Sequence, residues 1–204
     1  MSFVAALLPV VIYIYIVYQI DNFSLMSVKR LILLILSGML TALACFGLFQ
    51  LTEPILSESQ SDSINPIIEE MVKAIPLLFL AARKKMVFFI DSVISGAAVG
   101  GGFSILENLF YLLLGDELGV GTVLFRGLEV ALVHMGCSAI VAAGLMLAVR
   151  MIERSRSRLG IKKSDVAMSV FLLFEAPVLH VSTTPSISHR WCSSFSFSAP
   201  WVVS

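Results

Sequence analysis

The sequence predicts an all-α fold: a polytopic transmembrane helical bundle of about six spans, with the N-terminus outside. Three observations carry that expectation. Hydrophobic residues make up 58% of the chain and charged residues only 14%, with a mean hydropathy of +0.94, which is outside the range of ordinary soluble domains. The apolar residues gather in runs near the length of about 20 helical residues that a hydrocarbon core of roughly 30 Å requires. The basic residues concentrate in Lys29-Arg30, Arg83-Lys84-Lys85 and 150–163, whereas the intervening segments 52–65 and 115–121 are acidic. Basic and acidic loops alternating in this way are what the positive-inside rule gives for six crossings with an outer N-terminus.

Taken in order, Phe3 to Ile20 is the first span, just long enough to cross. No basic region precedes it and no small-x-small cleavage site closes it, so a cleaved signal peptide is not expected. After a polar turn, Leu31 to Leu51 is the second span, with Gly38, Ala42 and Ala44 available for close helix approach. The segment from Thr52 to Asn65 is Ser-rich and acidic, through Glu53, Glu58 and Asp62. Asn65 as N-cap and Pro66 at the first helical position predict the start of a third helix that runs to about Ala82. Met86 to Leu114 is too long for one straight span, and Gly100-Gly101-Gly102 predicts a break or kink within it. Thr122 to Val149 is the fifth helix, and Val166 to Val181 the sixth apolar run.

The domain division is a membrane unit over 1–181 and an irregular Ser-rich tail over 182–204, where both tryptophans lie. An ordinary disordered terminus is one reading of the tail. The other is a one-base slip in the coding sequence just after His180, since a shifted frame can continue the apolar helix and place an Asn near position 184. Translating the gene in its other two frames beyond codon 180 separates them: without an apolar continuation carrying that Asn, the slip is ruled out.

Net charge is formally zero, which gives no support for a nucleic-acid partner. Cys45, Cys137 and Cys192 have neither metal nor disulfide spacing and read as packing residues.

The chemistry concentrates in the segment 66–76. Glu69, Glu70 and Lys73 place three ionisable groups in an otherwise membrane-like run, where each is costly. Lys73 lies four residues from Glu69 and three from Glu70, within reach of either carboxylate, while the carboxylates themselves diverge by about 100°. One Glu can then be ion-paired while the other is left to act as a general base. The bland alternative is the wet outer end of a helix. Glu107 and Asn108 fall about seven residues inside the outer end of the fourth helix, roughly 10 Å deep. A carboxylate there needs water, a cation or a proton, and an Asn offers donors suited to a carbonyl oxygen. His134 near the middle of the fifth helix and His180 in the sixth complete a set that one water-filled pocket could hold. Arg126 and Glu129, three apart, are expected to pair with each other.

Two chemistries fit such a set. A metal site could use His134, His180 and a Glu, but no H-E-x-x-H pair is present and the histidines lie on different helices, so neither a metal nor any cofactor is expected. A metal-independent hydrolase would use a Glu to activate water, with His or Asn to hold the oxyanion. No G-x-S-x-G supports a serine mechanism. A non-catalytic membrane protein, such as a proton-coupled transporter or a partner-binding relative, is the alternative. A transporter should show inverted repeats, and the halves of the chain show no convincing similarity.

Glu69-Glu70-x-x-Lys73, then Phe103-x-x-x-Glu107-Asn108, then His134 on the next helix resemble the successive motifs of the PrsW family of intramembrane proteases, relatives of the CAAX prenyl endopeptidases. The resemblance covers roughly 64–150. It implies a glutamic-type intramembrane endopeptidase without a required metal, in the lipid bilayer of a bacterial or archaeal cell membrane. Its substrates would be membrane-anchored proteins such as anti-sigma factors. Glu70 or Glu69 would be the base, Lys73 its electrostatic partner, and Glu107, Asn108 and His134 would position water and the substrate carbonyl. Such proteins tend to carry a last-helix His followed four residues later by Asn. Here His180 is followed at that place by Thr184.

Overall fold

The computed structural model describes residues 2–20, 26–52, 57–86, 88–114, 119–156 and 163–183. The tail beyond Thr183, including Thr184 and Cys192, lies outside the described residues, as do Glu53 and 115–118. The described residues form six helices: α1 (Ser2–Gln19), α2 (Val28–Thr52), α3 (Glu58–Ala82), α4 (Phe89–Leu114), α5 (Val120–Arg156) and α6 (Lys163–Thr183). The all-α expectation holds. Four stretches are long and apolar enough to cross a membrane, Val28–Thr52, Phe89–Leu113, Val120–Ser155 and Ser164–Ser182, and Phe3–Gln19 is a shorter apolar helix.

Large apolar side chains face outward along the bundle, among them Leu33, Leu40 and Leu43 on α2 and Phe171, Phe174 and Val178 on α6. That inversion suits lipid rather than water as the surrounding solvent. The interior is packed from small and branched residues of several helices. Val10 of α1 meets Ala97, Ala131 and Met135, while Leu77, Ile94, Val99, Val141, Met146 and Ala176 join α3, α4, α5 and α6.

Two expectations about helix boundaries are corrected. The third helix does not start at Asn65-Pro66: Ser57 is the N-cap, with its backbone N–H donating to Gln60 Oε1 at 3.1 Å, and Asn65 and Pro66 lie inside α3. The Ser-x-x-Gln signal thus starts the helix upstream of the local Asn-Pro signal. Glu69 consequently lies roughly 17 Å along the helix from its first residue.

The glycine triplet does not break α4, which is one continuous helix through Gly100-Gly101-Gly102. Glycine costs a helix about 1 kcal/mol relative to alanine, and here it removes side chains where backbones meet. A Cβ on Gly96 would collide with the Ser138 carbonyl of α5, and one on Gly100 with the His134 carbonyl. Gly102 meets the Ile35 carbonyl of α2, and Gly38 of α2 meets that of Val99 in return. The small residues therefore hold α4 against α2 and α5, and they fix the depth of His134 in doing so.

The described parts of the basic segments gather at one end of the bundle. Arg30 pairs with the buried Asp91 at 3.1 Å and donates to the Lys85 carbonyl at 2.7 Å. Lys84, whose φ is 56°, pairs with Glu153 at 2.6 Å.

Candidate active site

Successive residues of α3 separate the two carboxylates. Glu70 and Lys73, one turn apart, point inward and are 2% and 0% exposed. Glu69, about 100° round the helix, faces the space between α2 and α4. The bland reading of a wet helix end is overturned, because Lys73 is among the largest fully buried side chains of the protein.

The buried charges compensate one another through a chain of contacts. Lys73 Nζ donates to Glu70 Oε1 at 2.5 Å and to His134 Nδ1 at 2.8 Å, and lies 4.6 Å above the Phe103 ring. An ammonium can only donate, so His134 Nδ1 accepts and the ring proton sits on Nε2. That Nε2–H donates to Glu107 Oε2 at 2.5 Å. The other Glu107 oxygen accepts from Arg126 Nη2 at 3.3 Å. Arg126 Nη1 donates to Asn108 Oδ1 at 2.8 Å, and its guanidinium stacks 3.7 Å from the Tyr111 ring. On the far side His180 Nδ1–H donates to Glu70 Oε1 at 2.9 Å, which leaves His180 Nε2 facing Glu69 Oε2 across 3.5 Å.

All seven residues singled out in the sequence are thereby placed. Glu69, Glu70, Lys73, Glu107, His134 and His180 form one cluster. Asn108 stands at its edge, its amide donating to the Ala6 carbonyl at 3.4 Å and its oxygen accepting from Arg126. The expected Arg126–Glu129 pair is not formed: Arg126 turns inward to Glu107 and Asn108, and Glu129 is exposed. A buried carboxylate attracts a guanidinium far more strongly than a solvated one three residues along the same helix. Arg126 is the member of the cluster that sequence reasoning assigned to Glu129 instead, although an arginine in an apolar run was a signal for a buried role.

Three carboxylates, Glu69, Glu70 and Glu107, face two permanent cations, Lys73 and Arg126. With all three ionised, one negative charge has no cationic side chain paired with it among the described residues. Glu69 and Glu107 also line a cleft between α2, α3 and α4 that is otherwise apolar.

The donor atoms of Glu69, His134 and His180 all lie within 4.8 Å of one another, a set that could hold a metal ion. Two ligands of a tetrahedral zinc, each about 2.0–2.1 Å from the ion, are separated by about 3.4 Å, and Glu69 Oε2 and His180 Nε2 are 3.5 Å apart. His180 also has the carboxylate behind its other nitrogen that metal-ligating histidines usually have. Those two ligands fit as they stand. His134 fits by type, and would have to release Lys73 or Glu107 to serve.

A family model described as PrsW family intramembrane metalloprotease matches residues 26–189, a range that contains every residue of the cluster. No curated protein and no solved structure matches the chain.

Proposed function

This chain belongs to the PrsW family of intramembrane proteases, and from that premise we propose that it hydrolyses peptide bonds of membrane-anchored proteins, with Glu69 taking the proton of the attacking water. The observation that carries this reading is the pair Glu69 Oε2 and His180 Nε2, which face each other across 3.5 Å at the wall of a cleft, while the other charges of the cluster are held by one another. Glu70 is occupied by Lys73 and His180. Its role is to keep the Lys73 ammonium in place and to orient His180. Lys73 in turn fixes the tautomer of His134, whose Nε2–H is the donor that a substrate carbonyl oxygen can recruit from Glu107.

In the reaction the water oxygen bonds to the scissile carbonyl carbon as its proton passes to Glu69. Collapse of the tetrahedral intermediate breaks the C–N bond, and the Glu69 proton passes to the leaving amine. Anti-sigma factors are substrates of the proposed kind. We place the 52–65 side of the bundle outside the cell and the basic end inside, with six crossings, an arrangement supported by Arg30, which pairs with Asp91 and donates to the Lys85 carbonyl, and Lys84, which pairs with Glu153, lying at a common end.

A second reading is favoured by the Glu69, His134 and His180 donor set together with the family description. There the three residues hold a divalent metal, which would supply Lewis acidity and a more acidic water. Both readings require Glu69 and His180, and metal analysis separates them.

The test is co-expression of the protein with membrane-anchored candidate substrates, comparing wild type with Glu69→Gln. The variant is expected to lose cleavage by roughly 10²–10⁴-fold, the usual contribution of a general base. Equal cleavage by both would remove Glu69 from the mechanism.

A further inference from the structure

Glu175 takes no part in the cluster, and its place in the chain is costly. Ser164–Ser182 is long and apolar enough to cross a membrane, and Glu175 falls near its middle, roughly 7.5 Å along α6 from His180. Ser169, Ala176 and His180 mark the side of α6 that meets the bundle: all three are buried, Ser169 Oγ donates to the Gly144 carbonyl of α5 at 3.0 Å, and His180 reaches Glu70 of α3. Glu175 is about 100° round the helix from Ala176. It is half-buried, beside Phe171, Phe174, Val178 and Leu179, which are all exposed. It makes no ion pair or hydrogen bond among the described residues. A carboxylate facing hydrocarbon is expensive, and intramembrane acids are kept where they meet a partner.

We infer that the lipid-facing side of α6 docks a transmembrane helix of another protein, one that carries a Lys or Arg near the middle of its span. Phe171, Phe174, Glu175 and Val178 recur at three- and four-residue intervals, so they form one stripe along α6 that a second helix can cover. The carboxylate in that stripe asks for a cation at its own depth. A second copy of this chain does not bring one. Outside the segments 29–30, 83–85 and 150–163, whose described parts lie at the basic end, residues 1–189 contain only Lys73 and Arg126 as Lys or Arg. Those two are turned inward, engaged by Glu70 and by Glu107 with Asn108. A partner helix with a basic residue at mid-span carries the complementary cost, and pairing with Glu175 relieves both at once. The exposed rings of Phe171 and Phe174 offer apolar cover to the stem of a Lys or Arg and a face to its charge.

The probes are synthetic transmembrane peptides of Leu and Ala, identical except that one carries a single Lys at its centre. Each is labelled with an acceptor dye and mixed in liposomes with the donor-labelled full chain, and association is read by energy transfer as the peptide-to-lipid ratio is varied. The Lys peptide is expected to bind wild type roughly 5- to 30-fold more tightly than the all-apolar peptide. Glu175→Gln should abolish that preference, and Glu175→Lys should transfer it to a peptide with a central Glu. Moving the Lys to the end of the peptide, where it reaches water by snorkelling, should also abolish the preference, and this arm needs wild type alone if the variants do not fold. Equal binding of the apolar and central-Lys peptides by wild type overturns the inference, as does an undiminished preference in Glu175→Gln. Self-association of wild type that Glu175→Gln removes would also overturn it, by making a second copy the occupant. Because association is read and not cleavage, the outcome is independent of the role given to Glu69.

Discussion

His180 and Glu70, 110 residues apart in the chain, meet at 2.9 Å through Nδ1 and Oε1. That hydrogen bond turns the other nitrogen of His180 toward Glu69, and so gives two adjacent glutamates different work. Glu70 is interior and already engaged. Glu69 faces a cleft.

The two glutamates should therefore fail differently when changed. Glu69→Gln is expected to keep the fold and lose activity. Glu70→Gln leaves the Lys73 ammonium buried without its ion-pair partner, and breaking a buried pair in this way costs about 3–5 kcal/mol. Thermal unfolding in detergent should show a large drop for Glu70→Gln and little change for Glu69→Gln. The double variant Glu70→Gln with Lys73→Met should recover much of the lost stability without recovering activity. Equal stability losses for both single variants would contradict the division of roles.

Arg126 holds Glu107 and Asn108 and stacks on Tyr111. Lysine keeps the charge and loses both the fork and the stack. Arg126→Lys is thus expected to recover only part of the activity lost in Arg126→Ala, with both read as kcat/KM on one substrate. Full activity in the lysine variant would show that charge alone matters at this position.

Close helix packing sets the position of His134, so Gly100→Ala should act well beyond its size. The added Cβ meets the His134 carbonyl, and the expected result is lower thermal stability together with reduced activity. Gly136→Ala adds a Cβ with nothing within 4 Å and should leave both unchanged, or slightly improve stability, because alanine is the better helix former. Indistinguishable melting curves for the two variants would remove the packing role of Gly100.

Chelation separates the two ways of activating water. Lys73 stands 2.8 Å from His134 Nδ1, and a fixed ammonium beside a ligand opposes a dication. Activity is accordingly expected to survive prolonged treatment with strong chelators after adventitious ions are removed. Stoichiometric zinc in purified protein, with activity lost on its removal and restored on its return, would establish the metal-dependent reading instead.

Sidedness can be read by thiol labelling in a cysteine-free background. A cysteine at the exposed Ser57 should react with an impermeant reagent in intact cells, and one at the exposed Lys85 should not. The reverse pattern would invert the bundle.

What the sequence determined by itself was the all-helical membrane architecture and the identity of six clustered residues. Bilayer physics makes both legible: apolar length reports a helix, and an ionisable group inside such a run is costly enough to stand out. Boundaries were less legible, because Asn65-Pro66 looks like a helix start while Ser57 and Gln60 supply the actual one. The glycine triplet looked like a break, because local propensity cannot register the Ile35 and His134 backbones that press against it. Only the tertiary structure could distinguish Glu69 from Glu70. Their spacing puts them on different faces of α3; which face meets the cleft depends on α2 and α4, and which meets His134 and His180 depends on α5 and α6, 61 and 110 residues along the chain from the partners they bind. Arg126 was settled the same way: its partner on its own helix was plain in the sequence, but the deeper carboxylate of Glu107, brought close by α4–α5 packing, is the one it binds.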